Sequence, residues 1–287
     1  MQPSCQPSRL AASDGVSLFI ADWKAPAASR RGGIVLMHGL GEHCGRYAHV
    51  AEFLASHGWM VRGYDHRGHG RSGGRRGDVP DREALLRDAV MVIQDFTQSC
   101  GSPPFLLGHS MGGLFAARLA TAGLVPLRGL ILSSPALAVR LSAAQRLLFK
   151  LLEATAPGLG ISNGLQSRYL SHDAAVVQTY QNDKLVHARI SARLLGAMLD
   201  AMAFTHSHAA ALGIPVLLLV AGEDHLVDAS GSDRFLASLP VHVASCHRYA
   251  GYYHELFNET GAARVFADLH RWLDAHASLD MKDTCPA

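Results

Sequence analysis

The chain has 287 residues, of which 48% are hydrophobic and 17% are charged, and its formal net charge is only +2. This length allows one or two domains, and the small net charge gives no electrostatic basis for binding nucleic acid. The basic cluster RGHGRSGGRR at 67–76 is local, and we interpret it as a solvated loop rather than a phosphate-binding patch.

The cysteines and the N-terminal residues indicate the cellular setting. The five cysteines, at 5, 44, 100, 246 and 285, are scattered, so neither a disulfide framework nor a zinc site is predicted. The first fifteen residues contain no apolar segment typical of a signal peptide, and no run approaches the ~20 apolar residues of a membrane-spanning helix. We therefore expect a cytoplasmic protein without metal or organic cofactor, and the sequence indicates no obligate protein partner.

Apolar strands alternate with helices along most of the chain. Strands are predicted at 16–25, 32–39, 59–65, 104–110, 128–136, 214–224 and 241–251. Helices are predicted at 48–58, 81–98 and 111–123, and in SDRFLASL and GAARVFADLHRWLDAHA after the last two strands, with a frayed tail from about residue 278. Continuous apolar strands that alternate with helices are typical of a mostly parallel sheet covered by helices on both faces.

Residues 137–210 interrupt this alternation. The segments LSAAQRLLFKLLEATAPGLGI and ISARLLGAMLDAMAF carry apolar residues at helical spacing, with no strand expected between them. Extra core packing is one interpretation. We favour a helical lid, inserted into a core formed by residues 1–136 and 211–287, whose apolar inner face meets an apolar substrate.

Two serines match the pattern G-x-S-x-G, and their flanking residues distinguish them. Ser110 lies between the apolar run FLL and the helix-forming run MGGLFAARLA, as a nucleophile at a tight strand-to-helix turn requires. Ser72, in GRSGG, has no apolar periodicity on either side. We therefore predict that Ser110 is the nucleophile and that Ser72 is a loop residue.

A serine nucleophile needs a base and a carboxylate that orients the base. Asp224 follows the strand at 214–224 and is the favoured acid; Glu223 is possible, and Asp228 is better explained as a charge at the start of the next helix. His254 follows the last strand and is the favoured base. His109 is expected to point away from the turn. His225 adjoins Asp224 and is not expected to fold back onto Ser110 while Asp224 also does. Packing or surface positions are expected for His242 and His247, and positions at the end of the lid for His206 and His208.

The developing negative charge needs two backbone N–H donors. One should come from Met111, the residue after the nucleophile, and the other from Leu40 in the loop HGLGEH at 38–43. Gly39 and Gly41 let that loop turn close to the substrate.

Six segments of the chain resemble motifs of the α/β-hydrolase superfamily and follow one another in the order typical of that superfamily. Within it they are most similar to the monoacylglycerol lipase and lysophospholipase branch, of the serine aminopeptidase S33 type. They are HGLGEHCGRY, YDHRGHGRS, GHSMGG, SSPAL, AGEDHLV and GYYHELFNE. The resemblance implies the triad Ser110, Asp224 and His254, the oxyanion donors Leu40 and Met111, and a lid over a hydrophobic channel.

The expected function is therefore a serine esterase that cleaves monoacylglycerols or similar lipid esters through an acyl-enzyme, with transient contact between lid and membrane. A lysophospholipase or a short-chain carboxylesterase is the alternative. An aminopeptidase is less favoured, because it needs acidic residues to hold an amine, for which Glu153, Asp173, Asp183 and Asp200 are the candidates. A non-catalytic binding protein is disfavoured because all three triad residues are present.

Overall fold

The structure is a computed structural model that describes residues 5–26 and 30–277, so the predicted frayed tail lies outside the described residues. The strands are β1 (Cys5–Ala11), β2 (Ser17–Trp23), β3 (Gly32–Met37), β4 (Trp59–Tyr64), β5 (Phe105–His109), β6 (Gly129–Ser133), β7 (Gly160–Ser162), β8 (Arg189–Ser191), β9 (Val216–Ala221) and β10 (Ala244–Tyr249). The α-helices are α1 (Ala48–Ser56), α2 (Ala84–Cys100), α3 (Met111–Thr121), α4 (Ala143–Thr155), α5 (Ala174–Asn182), α6 (Ala192–His208), α7 (Ser230–Ser238) and α8 (Ala262–His276).

Eight of the strands form one sheet in the order β1-β2-β4-β3-β5-β6-β9-β10. The pairs β1–β2 and β2–β4 are antiparallel, and every other pair in this sheet is parallel. The predicted fold class is therefore confirmed. The carboxyl ends of β5, β6, β9 and β10 lie side by side, and the loops that carry the candidate site residues leave the sheet at this edge.

Strand β1 was not among the predicted strands, and it occupies the edge of the sheet outside β2. Its side chains are almost all exposed, so the sequence CQPSRLA carries no apolar alternation that would mark a strand. Pro7 is compatible with this position because an edge strand needs fewer backbone donors than a central one.

Helices cover both faces of the sheet. Successive residues of β5 point to opposite faces, so Leu106 joins a core cluster with α2, α3, α6 and α7, while Phe105 and Leu107 join a second cluster with α1 and α8. The residues that point to one face of a central strand and those that point to the other are thus all buried. This explains why the sequences of the central strands are unbroken apolar runs.

The segment at 137–210 has two unlike halves. Helix α6 packs on α3 and buries Leu194, Ala197 and Ala201 in the main core. Helix α4, in contrast, has no buried residue. Between the two helices lie α5 and two three-residue strands, β7 and β8, which pair antiparallel and were not expected. Within the described ranges, no helix has the length and apolar character needed to cross a bilayer.

Candidate active site

Ser110 lies at the tip of the turn between β5 and α3. Its backbone has φ 52° and ψ −119°, a conformation that non-glycine residues rarely adopt. The strain is held by close packing, because a methyl group on Gly112 would come within 2.2 Å of the carbonyl oxygen of Met37. A methyl group on Gly108 would come within 2.5 Å of the carbonyl oxygen of Gly112. The turn therefore requires glycines on both sides of the serine.

The second serine, Ser72, has a structural position. Its hydroxyl donates to the carbonyl oxygen of Asp65 at 2.6 Å and accepts from the backbone N–H of Phe19 at 2.8 Å. It is buried in the loop that follows β4, where it ties this loop to β2. Both sides of its hydroxyl are thus occupied by the backbone.

Asp224 and His254 form a buried pair. The distance from Asp224 Oδ2 to His254 Nδ1 is 2.7 Å, and the two side chains are 2% and 4% exposed. The other carboxylate oxygen of Asp224 accepts from the backbone N–H groups of Leu226 and Val227 at 2.9 and 3.0 Å. A carboxylate held in this way keeps the proton of a neutral His254 on Nδ1 and leaves Nε2 free to accept a proton.

The charges of this pair stabilise each other. Burial acts to raise the pKa of Asp224, but the interaction and hydrogen bond with His254 outweigh it, so this pKa lies below its usual value. Burial likewise acts to lower the pKa of His254, but attraction to Asp224 outweighs it and raises that pKa. A histidine with a raised pKa is a stronger base.

The sequence predicted that His109 points away from the turn at Ser110. In the structure its side chain instead contacts His254. Its ring packs on the ring of His254 with centroids 4.7 Å apart, and its Nδ1 lies 3.3 Å from Ser133 Oγ. Burial, with a further contribution from His254, lowers the pKa of His109 to about 4. The expectation was wrong because the last residue of β5 turns its side chain toward the loop that carries His254.

The loop after β3 bends back over Ser110. Gly39 lies so close that a methyl group on it would come within 3.2 Å of Ser110 Cβ. The N–H of Gly39 donates to Glu42 Oε1 at 2.6 Å, and Gly41 has φ 81°. Leu40 is thus held between two fixed glycines. Met111 is the first residue of α3, so its N–H has no acceptor within the helix.

A buried ion cluster, which the sequence did not reveal as a site feature, joins this loop to the loop of His254. Arg46 donates to Glu42 Oε2 at 2.5 Å and makes a two-pronged pair with Glu255, whose Oε2 lies 2.7 Å from Arg46 Nη2. The guanidinium also lies over the ring of Tyr180 in α5. The spacing of Glu42 and Arg46, four residues apart in HGLGEHCGRY, was the available signal.

A cavity of about 300 Å³ opens at Ser110. Ser110, Leu40 and Met111 all line it, and α4, α6, β7 and β8 contribute mostly apolar side chains. The apolar ones include Leu148, Phe149, Leu152, Ile161, Leu195 and Met198. The predicted nucleophile and both predicted N–H donors therefore face one apolar cavity.

Comparisons with known proteins concern the whole chain and its family. A family model described as serine aminopeptidase, S33, matches residues 28–261. A monoacylglycerol lipase of Mycolicibacterium smegmatis is 35% identical over 91% of this chain and 94% of its own length. The chain belongs to the S33 serine hydrolase family. Phospholipase YtpA of Bacillus subtilis is 34% identical over 86% of this chain and 98% of its own length.

The fold of this S33 family member also matches that of a solved structure. The crystal structure of a monoacylglycerol lipase from Paleococcus ferrophilus matches with a TM-score of 0.82 and 37% sequence identity. The match covers 90% of this chain and 99% of the other. The predicted family resemblance is confirmed.

The acidic residues considered for an S33 aminopeptidase are engaged elsewhere. Glu153 and Asp200 both pair with Arg82, and Asp183 Oδ2 lies 2.8 Å from His43 Nε2. Asp173 caps α5 by accepting from the N–H of Ala175. Among the described residues that line the cavity there is no Asp or Glu. The cavity therefore offers no carboxylate to hold a substrate amine.

Proposed function

We propose that this chain is a serine hydrolase of lipid esters that cleaves monoacylglycerols through an acyl-enzyme on Ser110. The observation that carries the proposal is the buried Asp224–His254 pair at the same sheet edge as a strained serine that opens onto an apolar cavity. The curated relatives and the solved structure are monoacylglycerol lipases or a phospholipase, which supports an ester of a lipid as substrate.

The residues define each step of the reaction. His254 Nε2 takes the hydroxyl proton as Ser110 Oγ bonds to the ester carbonyl carbon, and the oxygen of that carbonyl becomes negative. The N–H groups of Leu40 and Met111 stabilise the oxyanion, a contribution typically of ~3–4 kcal/mol for one donor. The intermediate then collapses, the bond to the alcohol oxygen breaks, and His254 returns the proton to that oxygen. Water, activated by His254, cleaves the acyl-enzyme in the same way.

The proposed lid, residues 137–210, has an outer surface suited to contact with a lipid surface. Leu147 and Leu151 of α4 are 70% and 57% exposed, and Leu159 is also exposed. Arg146 and Lys150 stand beside them on the same helix. A helix with exposed leucines and flanking basic residues is typical of one that lies in a membrane interface. We therefore propose that the lid touches the membrane from which the substrate is taken.

A lysophospholipase is the second candidate, supported by the relative named as a phospholipase. It differs in the leaving group, which would carry a phosphate. Arg140 lines the cavity, but its guanidinium is paired with Asp228, with Nε 2.9 Å from Oδ2. This pair is exposed to solvent and weak. Among the described residues that line the cavity, however, no other Lys or Arg is present to bind a phosphate, so the cavity favours an uncharged glycerol as the leaving group.

The proposal is tested by initial rates on three substrate series of graded acyl length: monoacylglycerols, lysophosphatidylcholines and p-nitrophenyl esters. Wild type and Ser110→Ala are compared throughout. We expect hydrolysis that depends on Ser110 and is fastest with monoacylglycerols. Faster hydrolysis of lysophosphatidylcholine would establish the second candidate, and equal rates for the two proteins would refute both.

A further inference from the structure

His38 is the first residue of the loop at 38–43 that carries the proposed donor Leu40, and it is fully buried. Its ring makes two hydrogen bonds that determine the position of its proton. Nε2 accepts from the backbone N–H of His66 at 3.0 Å, and Nδ1 lies 2.8 Å from the carbonyl oxygen of Gly39. A backbone N–H can only donate, so Nε2 carries the lone pair and Nδ1–H donates to the carbonyl.

The carbonyl of Gly39 belongs to the same peptide group as the N–H of Leu40. This group is planar, and its C=O and N–H point in opposite directions. A bond that holds the carbonyl oxygen in place therefore also sets the direction of the Leu40 N–H. The preceding peptide group is held as well, because the N–H of Gly39 donates to Glu42.

We propose that His38 is a positioning residue for the oxyanion hole, which acts by holding the Gly39–Leu40 peptide group so that the Leu40 N–H faces the reacting carbonyl. This inference rests on the proposed function, since it assigns the orientation of one of its donors. His38 itself does not touch the substrate, because its ring is enclosed by the rings of His66 and His69 at 4.4 and 5.4 Å.

The neutral state that this role needs is favoured by the surroundings. Burial, together with the neighbouring His69, His43 and His187, lowers the pKa of His38 well below its usual value. The main chain of His38 is also fixed, because a methyl group on Gly112 in the nucleophile turn would come within 2.5 Å of its carbonyl oxygen. The loop that carries Leu40 and the turn that carries Ser110 thus contact each other at His38.

Two substitutions of the same chemical type separate the two bonds of the ring. In His38→Asn the amide nitrogen takes the place of Nδ1 and can still donate to the Gly39 carbonyl. In His38→Gln the longer side chain reaches the position of Nε2, accepts from the N–H of His66, and leaves the Gly39 carbonyl without a donor. Each variant loses one buried hydrogen bond, so similar losses of thermal stability are expected.

The experiment measures kcat and KM for a monoacylglycerol, and the inhibition constant of a trifluoromethyl ketone that forms a tetrahedral adduct. For His38→Gln we expect kcat to fall about 10- to 100-fold at nearly constant KM, with a parallel weakening of the ketone, whereas His38→Asn stays within about fivefold of wild type. His69→Gln, an equally buried ring that bonds the carbonyl of Arg67, is the packing control and should retain kcat.

The outcomes are distinguishable. If hydrolysis by wild type does not depend on Ser110, both the proposed function and this inference fail. If it does depend on Ser110 but His38→Asn and His38→Gln lose kcat equally, or His69→Gln loses as much as His38→Gln, the positioning role alone is refuted.

Discussion

The ring of His109 packs on the ring of His254, with centroids 4.7 Å apart. Both residues are buried, yet their pKa values move in opposite directions, down to about 4 for His109 and upward for His254. The difference comes from Asp224, which bonds His254 at 2.7 Å. A neutral ring beside the proposed base adds bulk without adding charge.

The first prediction follows from this contrast. His254→Asn should lower kcat by about 10⁴-fold or more, because it removes the proton acceptor. His109→Asn should retain kcat within about tenfold, because its ring is a packing neighbour and its amide still reaches Ser133. Steady-state rates on one ester decide between them. Equal losses would mean that His109 takes part in proton transfer.

The pH profile gives a second prediction. The base must be neutral to accept a proton, so kcat/KM should rise with pH through the pKa of His254 and level off above it. Because Asp224 raises that pKa, the midpoint should lie above 6.5, the usual value for histidine. A midpoint near 4, the pKa of His109, would mean that His109 and not His254 is the base, and would contradict our proposal.

The third prediction concerns Arg46, which pairs with two buried carboxylates. Arg46→Met leaves Glu42 and Glu255 unpaired, and the free energy of unfolding should fall by about 3–5 kcal/mol. Arg87→Met is the matched control, because Arg87 pairs with Asp81 at the exposed surface, where a salt bridge contributes about 0–1 kcal/mol. Urea unfolding followed by circular dichroism measures both. Similar losses for the two variants would contradict a buried cluster.

A fourth prediction tests the membrane contact. Replacing Leu147 and Leu151 by serine should reduce sedimentation with vesicles that contain phosphatidylglycerol, while hydrolysis of a dissolved p-nitrophenyl ester stays within about twofold. Leu124→Ser removes an exposed leucine outside the lid and should leave vesicle binding unchanged. Unaltered sedimentation of the double variant would show that α4 is not the contact surface.

Much of the architecture could be predicted because the central strands are buried on both faces. Their apolar runs and the intervening helices identified the parallel sheet, and the flanks of Ser110 and Ser72 distinguished a strand-to-helix turn from a loop. Strand β1 was not predicted because its side chains are almost all exposed. Strands β7 and β8 were not predicted because a segment of three residues is too short to show a periodic pattern.

Contacts between distant parts of the chain could not be predicted from local pattern. Arg46 and Glu255 are 209 residues apart, and only the parallel packing of β3, β5, β6, β9 and β10 brings their loops together. The orientation of His109 likewise depends on where the loop of His254 lies. The roles of Ser110, Asp224, His254, Leu40 and Met111 stay predictions until they are measured.

The most direct test is to trap the acyl-enzyme. Wild type, Ser110→Ala and Ser72→Ala are each mixed with a p-nitrophenyl ester of a medium-chain acid, quenched in acid within the first turnover, and examined by intact mass and peptide mapping. We predict an added acyl mass on Ser110 in wild type and in Ser72→Ala, and none in Ser110→Ala. An acyl group on another residue, or hydrolysis by Ser110→Ala at the wild-type rate, would contradict the proposed mechanism.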